Sequence, residues 1–242
     1  MILGISGRKQ AGKTTIANII HGEHLYRNNL VKDYSINKKG KLSVQTSDDS
    51  GWGIFDIERK DQEFSEYAHY NMWPWVKLYN FADPVKEMCV NLFGLTHDQV
   101  YGTEENKNEK IHLLWENVLT GWPEKTGQMT AREFMQFFGT NVMRKIYDNV
   151  WTNACLNKIA NEGSELSIIA DVRFPNEVEA INKAGGKVLR LERNVHNDNH
   201  ESEVALDSEN YDHHNFWKIL DNRELTIKQT VTEVKSILEE IK

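Results

Sequence analysis

The stretch Met1-Ile2-Leu3-Gly4-Ile5-Ser6-Gly7-Arg8-Lys9-Gln10-Ala11-Gly12-Lys13-Thr14-Thr15 decides how the rest of the chain is read. Its first six residues form a short apolar run cut off by glycine and a charged turn, which predicts a buried strand. Lys13 to Leu25 then has helical spacing, with Ala17, Ile20, His21 and His24 near one face and Ile16 and Ile19 flanking it. Between them, Gly7 to Thr14 matches Gly-x-x-x-x-Gly-Lys-Thr in full and in the strand–turn–helix setting that pattern needs. Gly7 and Gly12 let the backbone turn tightly and point its N–H groups inward. The helix N-terminus adds partial positive charge. Lys13 has the reach for β- and γ-phosphates, and the Thr14 hydroxyl suits Mg²⁺. A nucleoside triphosphate site is the expectation.

Working outward, the spacing predicts strands at Val76–Phe81, Leu166–Ala170, Val188–Leu191 and Phe216–Leu220, with Asp171 closing the most apolar of them. Helices are expected from Asp83-Pro84 to Phe93, over Ile111–Leu119 ended by Gly121 and Pro123, over Val150–Ala160, Asn176–Ala184 and Thr226–Ile241. Asp83 is expected to cap the first of these. Thr130 and Glu133 predict a capping box for a helix through Ile146, with Gly139 as a point of interruption. Tyr101 to Lys110 reads as a charged, solvated link. Short apolar strands separated by helices indicate an α/β fold built of parallel βαβ units. Residues 26–75 differ in character and read as an insertion lacking the apolar content for a sizeable core of its own. Within it a hairpin over Ser35–Gln45 about Lys39-Gly40, a loop over Thr46–Gly53 and a helix over Asp56–Tyr70 are expected.

The 242 residues, 39% hydrophobic and 27% charged, suffice for a globular domain. A formal charge of -7 counts against a nucleic-acid partner. Two cysteines, Cys89 and Cys155, exclude a disulfide framework and read as small core residues in a reducing compartment. The N-terminus does not read as a signal peptide, and no apolar run approaches the roughly 20 residues of a membrane span, so a cytoplasmic location is expected. His196, His200, His213 and His214 read as a solvated loop in preference to a metal site. Trp52, Phe55, Tyr67, Tyr70, Trp73 and Trp75 read as aromatics that fasten the insertion. Nothing in the pattern indicates monomer or homodimer.

Three features narrow the use of the triphosphate. Asn157-Lys158-Ile159-Ala160 lacks the aspartate of a guanine-reading motif. Asp171 is followed by Val172 and Arg173, with no glutamate to activate water. Lys86, Arg132, Arg144, Arg173 and Arg193 recur at element ends, as suits two phosphorylated ligands. A small-molecule kinase is favoured. A kinase for another small metabolite and a nucleotide-dependent nucleic-acid-associated protein stay open.

The phosphate loop, Phe81-Ala82-Asp83-Pro84-Val85-Lys86, Arg132 with Gln136 and Gly139-Thr140, and Asp171-Val172-Arg173-Phe174-Pro175-Asn176-Glu177 together resemble the phage deoxynucleoside monophosphate kinases. His200-Glu201-Ser202-Glu203 with Leu206-Asp207 resembles that family's late loop. The resemblance implies a three-layer P-loop kinase fold with a five-stranded parallel sheet, a helical monophosphate-binding region at residues 84–147 and a lid at residues 193–207. It implies transfer of the γ-phosphate of ATP to a deoxynucleoside monophosphate with Mg²⁺. By position it assigns Gly7, Arg8, Gln10, Ala11, Gly12, Lys13, Thr14, Thr15 and Asn222 to the donor nucleotide, and Thr14 and Asp171 to the metal. It assigns Asp83, Lys86, Arg132, Gln136, Arg144 and Arg173 to the acceptor, and Lys13, Asp171, Arg173, Arg144 and Arg193 to the transfer. Asn222-Arg223-Glu224 departs from the family's Asn-Asp-Gly before the last helix.

Overall fold

The computed structural model describes residues 1–46, 51–118, 125–195 and 201–241. Strand β1 (Ile2–Ser6) enters helix α1 (Lys13–Arg27) through the glycine turn. Then come β2 (Asp33–Ile36), β3 (Leu42–Gln45), β4 (Trp52–Phe55), α2 (Gln62–Asn71) and β5 (Val76–Tyr79). The middle of the chain holds α3 (Asp83–Phe93), α4 (His97–Tyr101), α5 (Glu104–Lys107), β6 (Lys110–Leu114), β7 (Gln128–Thr130), α6 (Ala131–Gln136), α7 (Arg144–Ile146) and α8 (Val150–Glu162). It closes with β8 (Leu166–Val172), α9 (Pro175–Lys183), β9 (Lys187–Leu191), α10 (Glu201–Val204), β10 (Lys218–Leu220) and α11 (Ile227–Glu239).

The strands β5, β8, β1, β9 and β10, in that order, make a five-stranded sheet whose neighbouring pairs are all parallel. With its flanking helices this is the expected α/β P-loop kinase fold. The chain divides into two compact units, Met1–Asn80 with Leu156–Lys242, and Phe81–Cys155.

In the first unit, Leu3, Ile5, Ile168 and Leu189 are enclosed completely, which is why these short strands read as uninterrupted apolar runs. Helix α1 is buried on more than the one face that its sequence suggests: Asn18, Gly22 and Glu23 are enclosed along with its apolar residues. The cause is the segment of residues 26–75, whose antiparallel sheet β2-β3-β4 covers the helix. The His21 ring lies 5.6 Å from that of Phe55, and Asn18 Nδ2 donates to the Gly40 carbonyl at 2.8 Å. Val31, Leu42, Val44, Phe64 and Met72 join the same core cluster as Leu3 and Ile5.

Several local expectations change here. Trp52 and Gly53 are not loop; they pair with Gln45 and Val44 as part of β4, because the antiparallel partner strand is present to take their hydrogen bonds. The rest of that expected loop, residues 47–50, lies outside the described residues. Helix α2 starts only at Gln62, where the Asp61 side chain accepts from the Phe64 N–H and sets the boundary. Phe55 and Trp73 pack on the core, but Trp52, Tyr67, Tyr70 and Trp75 are exposed and fasten nothing by burial.

The second unit has its own core, in which Phe93 lies 4.8 Å from Phe134 and 5.0 Å from Phe138, around the fully enclosed Cys89, Val100, Met129 and Ala131. The expected helix at Ile111–Leu119 is instead β6 and a 3₁₀ turn at Trp115–Asn117. Lys110 pairs with Thr130 and Leu114 with Gln128, and Ile111 points in while His112 points out, so a distant strand overrides local preference. Leu119, Gly121 and Pro123 lie outside the described residues. The supposed link at Tyr101–Lys110 contains α5, started by a reciprocal Thr103–Asn106 capping box. Asp83 is the first residue of α3, one position inside the helix, and Ala82 holds the cap position. The Thr130–Glu133 capping box is present, and the helix widens into a π-helical stretch over Phe137–Met143 that contains Gly139. Gly139 there accepts from the Trp151 indole N–H at 2.9 Å.

Gly40 has φ +74°, and a Cβ there would stand 2.1 Å from Thr15 Oγ1. The Gly40→Ala substitution is expected to lower stability by about 2 kcal/mol through left-handed strain and overpacking. The expected readout is a lower urea midpoint with unchanged slope. An unchanged midpoint would remove the contact between hairpin tip and α1.

Candidate active site

Parallel pairing of β1 with β8 sets Ser6 opposite Val172, so the glycine turn and Asp171 emerge at one edge of the sheet. That edge holds the carboxyl ends of the strands, where ligands gather in open α/β sheets. Gly12 caps α1 in a left-handed conformation, φ 99°, and Gln10 also has positive φ at 60°. The Ala11 N–H closes the turn on the Arg8 carbonyl at 3.1 Å.

Lys13 Nζ donates to the carbonyls of Gly7, at 2.6 Å, and Arg8, at 2.8 Å. Burial, followed by the nearby Arg173 guanidinium, pushes this ammonium down to about 8, while Glu203 and Asp171 oppose the shift. Thr14 is exposed, and Thr15 is half-buried with its side chain close to Gly40. Asn222 is buried beneath the turn: its Nδ2 donates to the Ala11 carbonyl at 2.8 Å and its Oδ1 accepts the Arg193 N–H at 3.0 Å. The Arg193 residue itself is exposed. On the loop after β8, the Glu177 carboxylate reaches back to the N–H groups of Arg173, at 2.7 Å, and Phe174, at 3.0 Å, which fixes the start of α9.

Two acidic residues of the expected lid segment, to which the sequence reading gave no role of their own, bond to the glycine turn. The Glu203 carboxylate accepts from the Lys9 N–H of the glycine turn and from Arg173 Nη1. The Asp207 carboxylate accepts from both Nε and Nη2 of Arg8, and from Arg190 Nη2 at 3.0 Å. Arg190, only 6% exposed, also donates to Ser6 Oγ at 3.1 Å and so ties β9 to β1. A polar cavity of about 250 Å³ opens beside this network, lined in part by Arg8, Arg190, Arg193, Asn194 and Asp207. A second cavity of about 430 Å³ lies within residues 26–75, between Val44, Phe55, Phe64 and Met72, and touches no residue of the glycine turn.

In the second unit, Arg132 Nη2 pairs with Glu104 at 2.6 Å and Gln136 stands exposed one helical turn further on. The Lys86 ammonium lies 5.0 Å over the Tyr101 ring. Burial raises the Tyr101 phenol above its ordinary value, and the Asp83 and Glu87 carboxylates add to the shift. Tyr101 therefore joins Asp83 and Lys86, although its charged sequence neighbours suggested a solvated link. Arg144 is half-buried at the start of α7.

The donor set suits magnesium. Mg²⁺ takes one or two protein oxygens together with substrate phosphates, and the Thr14 hydroxyl and Asp171 carboxylate are of that kind. A cage of three or more His, Cys, Asp or Glu side chains does not occur among the described residues. His196 and His200 lie outside them. Among the described residues, no helix is long and apolar enough to cross a membrane.

Comparison with known proteins agrees with this geometry. The family model described as deoxynucleotide monophosphate kinase matches residues 1–222. A curated relative, the "Putative deoxynucleotide monophosphate kinase" of Acanthamoeba polyphaga mimivirus, is 31% identical over 143 residues, spanning 53% of this chain and 68% of the relative. That relative comes from a virus of amoebae, so the restriction to phage enzymes drawn from the motifs is too narrow. The chain belongs to the deoxynucleotide monophosphate kinase family.

Proposed function

We propose that the chain carries out its family's reaction with the residues described above: it moves the terminal phosphate of ATP to a deoxynucleoside monophosphate, giving the diphosphate and ADP. The observation that carries this reading is the glycine turn itself, with Lys13 and Asp171 electrostatically coupled at the ends of β1 and β8. A phosphate oxygen of the acceptor forms the new P–O bond. The bond from the γ-phosphorus to the bridging oxygen breaks, and that oxygen keeps the electron pair as part of ADP. The nucleophile is already anionic, so no strong base is required and catalysis rests on positioning and charge compensation.

In this reading Lys13 turns from the Gly7 and Arg8 carbonyls to the β- and γ-phosphates, and the N–H groups of the turn cradle them. Arg173 and Arg193 compensate charge on the transferring group. Gly7, Arg8, Gln10, Ala11, Gly12 and Thr15 shape the donor site, with Asn222 holding the turn in place from below. Bound through Thr14 and Asp171, Mg²⁺ would neutralise phosphate charge. Asp83, Lys86, Arg132, Gln136 and Arg144 recognise the acceptor, with Tyr101 ordering Lys86.

Three measurements test this assignment. ADP production across the common monophosphates, with and without Mg²⁺, is expected to require a deoxynucleoside monophosphate and the metal; turnover with sugars alone would exclude it. The Lys13→Ala enzyme is expected to lose about 100- to 1,000-fold in kcat, the cost of removing one preorganised charge donor. In Arg132→Ala and Arg144→Ala enzymes the KM for the monophosphate should rise about tenfold with the KM for ATP changed far less. Unchanged acceptor kinetics in both would withdraw the second unit from acceptor recognition.

A further inference from the structure

The cations of the glycine turn are not bare. Lys13 is folded back on two carbonyls of its own loop, and the Lys9 N–H and Arg173 guanidinium share one carboxylate, that of Glu203. Glu203 is 7% exposed, so this carboxylate is enclosed at the turn and is no surface ion pair. Both of its oxygens are used, one by each donor. A carboxylate bound by a backbone N–H of a phosphate loop and by an arginine presents the oxygens, charge and acceptor geometry of a phosphate edge.

Asp207, three residues beyond the end of α10, anchors the same segment through Arg8 and Arg190. Arg8 and Arg190 belong to the turn and to β9, so the segment can stay attached through Asp207 while Glu203 alone gives way. The two acids thus have separable tasks: Asp207 fixes the segment, and Glu203 fills an anion position.

We propose that Glu203 is an anion placeholder, whose carboxylate competes for the place between the Lys9 N–H and Arg173 that the terminal phosphate of a nucleoside triphosphate must take. The inference rests on the kinase reading above for the identity of the donor. A triphosphate displaces the carboxylate and recovers its two charge-assisted hydrogen bonds. A diphosphate, one phosphate shorter, leaves the carboxylate where it is. After transfer the donor has become a diphosphate, Glu203 returns to its partners, and the vacated anion position is refilled without water having to solvate Arg173. The exchange therefore lowers triphosphate affinity relative to diphosphate affinity, because only the triphosphate has to displace the carboxylate.

The test compares the dissociation constants of the intact protein and its Glu203→Gln variant by calorimetry, in Mg²⁺. The two ligands are ADP and an ATP analogue with nitrogen in the β–γ bridge. Removing the competing charge is expected to tighten the analogue about five- to tenfold and ADP less than twofold. Equal tightening of both would reduce Glu203 to a general charge effect and overturn the proposal. Weaker binding of the analogue would make Glu203 part of the binding site and also overturn it. Melting curves with and without the analogue establish that the variant is folded. If it is not, Glu203→Asp, which keeps the charge on a shorter arm, should tighten the analogue alone, and an unchanged ratio of the two constants overturns the proposal. Binding needs no acceptor, so failure of phosphate transfer to any monophosphate would remove the kinase reading while this comparison still decides the role of Glu203.

Discussion

A loop built to turn N–H groups and a lysine toward an anion must satisfy those groups in some other way when it meets none. Desolvated cations and orphan N–H groups are costly, and the cost grows with burial. The glycine turn after β1 meets this constraint with internal partners. Lys13 lies on the carbonyls of Gly7 and Arg8, the Lys9 N–H on Glu203, and Arg8 on Asp207. Much of the surrounding structure follows from it: buried Arg190 is tolerable because Asp207 and Ser6 accept its hydrogen bonds, and Glu203 accepts one from Arg173. These ion pairs join β1, β8, β9 and the segment at α10 through groups that bound phosphates would also seek.

The second constraint concerns the helix that carries Lys13 and Thr14. A P-loop helix needs a fixed first turn, and here residues 26–75 supply support along a face that would otherwise meet water. Gly40 approaches Thr15, Asn18 donates to the Gly40 carbonyl, and Phe55 lies against His21. Among the described residues neither His21 ring nitrogen has a hydrogen-bond partner, and burial pushes the imidazole down to about 3, so it stays neutral and acts as a flat apolar group. Residues 26–75 share their core with the parallel sheet, which explains how strands as short as β2, β3 and β4 persist.

The reach of local reasoning can be followed element by element. Helix α3 ends at Gly94, which adopts the left-handed conformation that its lack of a Cβ permits, and α11 starts at a Thr226–Gln229 capping box. Such signals act within one turn of chain, and they were legible. β6 was not, because Lys110 and Leu114 are strand residues only through Thr130 and Gln128, beyond the local window. Trp52 and Gly53 fail to read as strand for the same reason. Among the candidate site residues, the glycine turn and Asp171 are the ones that pattern and position propose. Tyr101, Arg190, Glu203 and Asp207 were not assigned to it, since their partners lie on other segments.

The amino-acid order alone determined the phosphate loop, the alternation of short apolar strands with helices, and hence the parallel sheet and the kind of ligand it serves. Those features depend on neighbours a few residues apart, where periodicity and glycine placement act directly. Only the tertiary structure decided that α1 is covered by the sheet β2-β3-β4 and that Glu203 and Asp207 pair with the arginines around the turn. Glu203 lies 194 residues from Lys9 and Asp207 lies 199 from Arg8, and electrostatic pairing across such separations has no local signature. It exists because the sheet order brings β1, β8 and β9 side by side and sets their carboxyl ends at one edge.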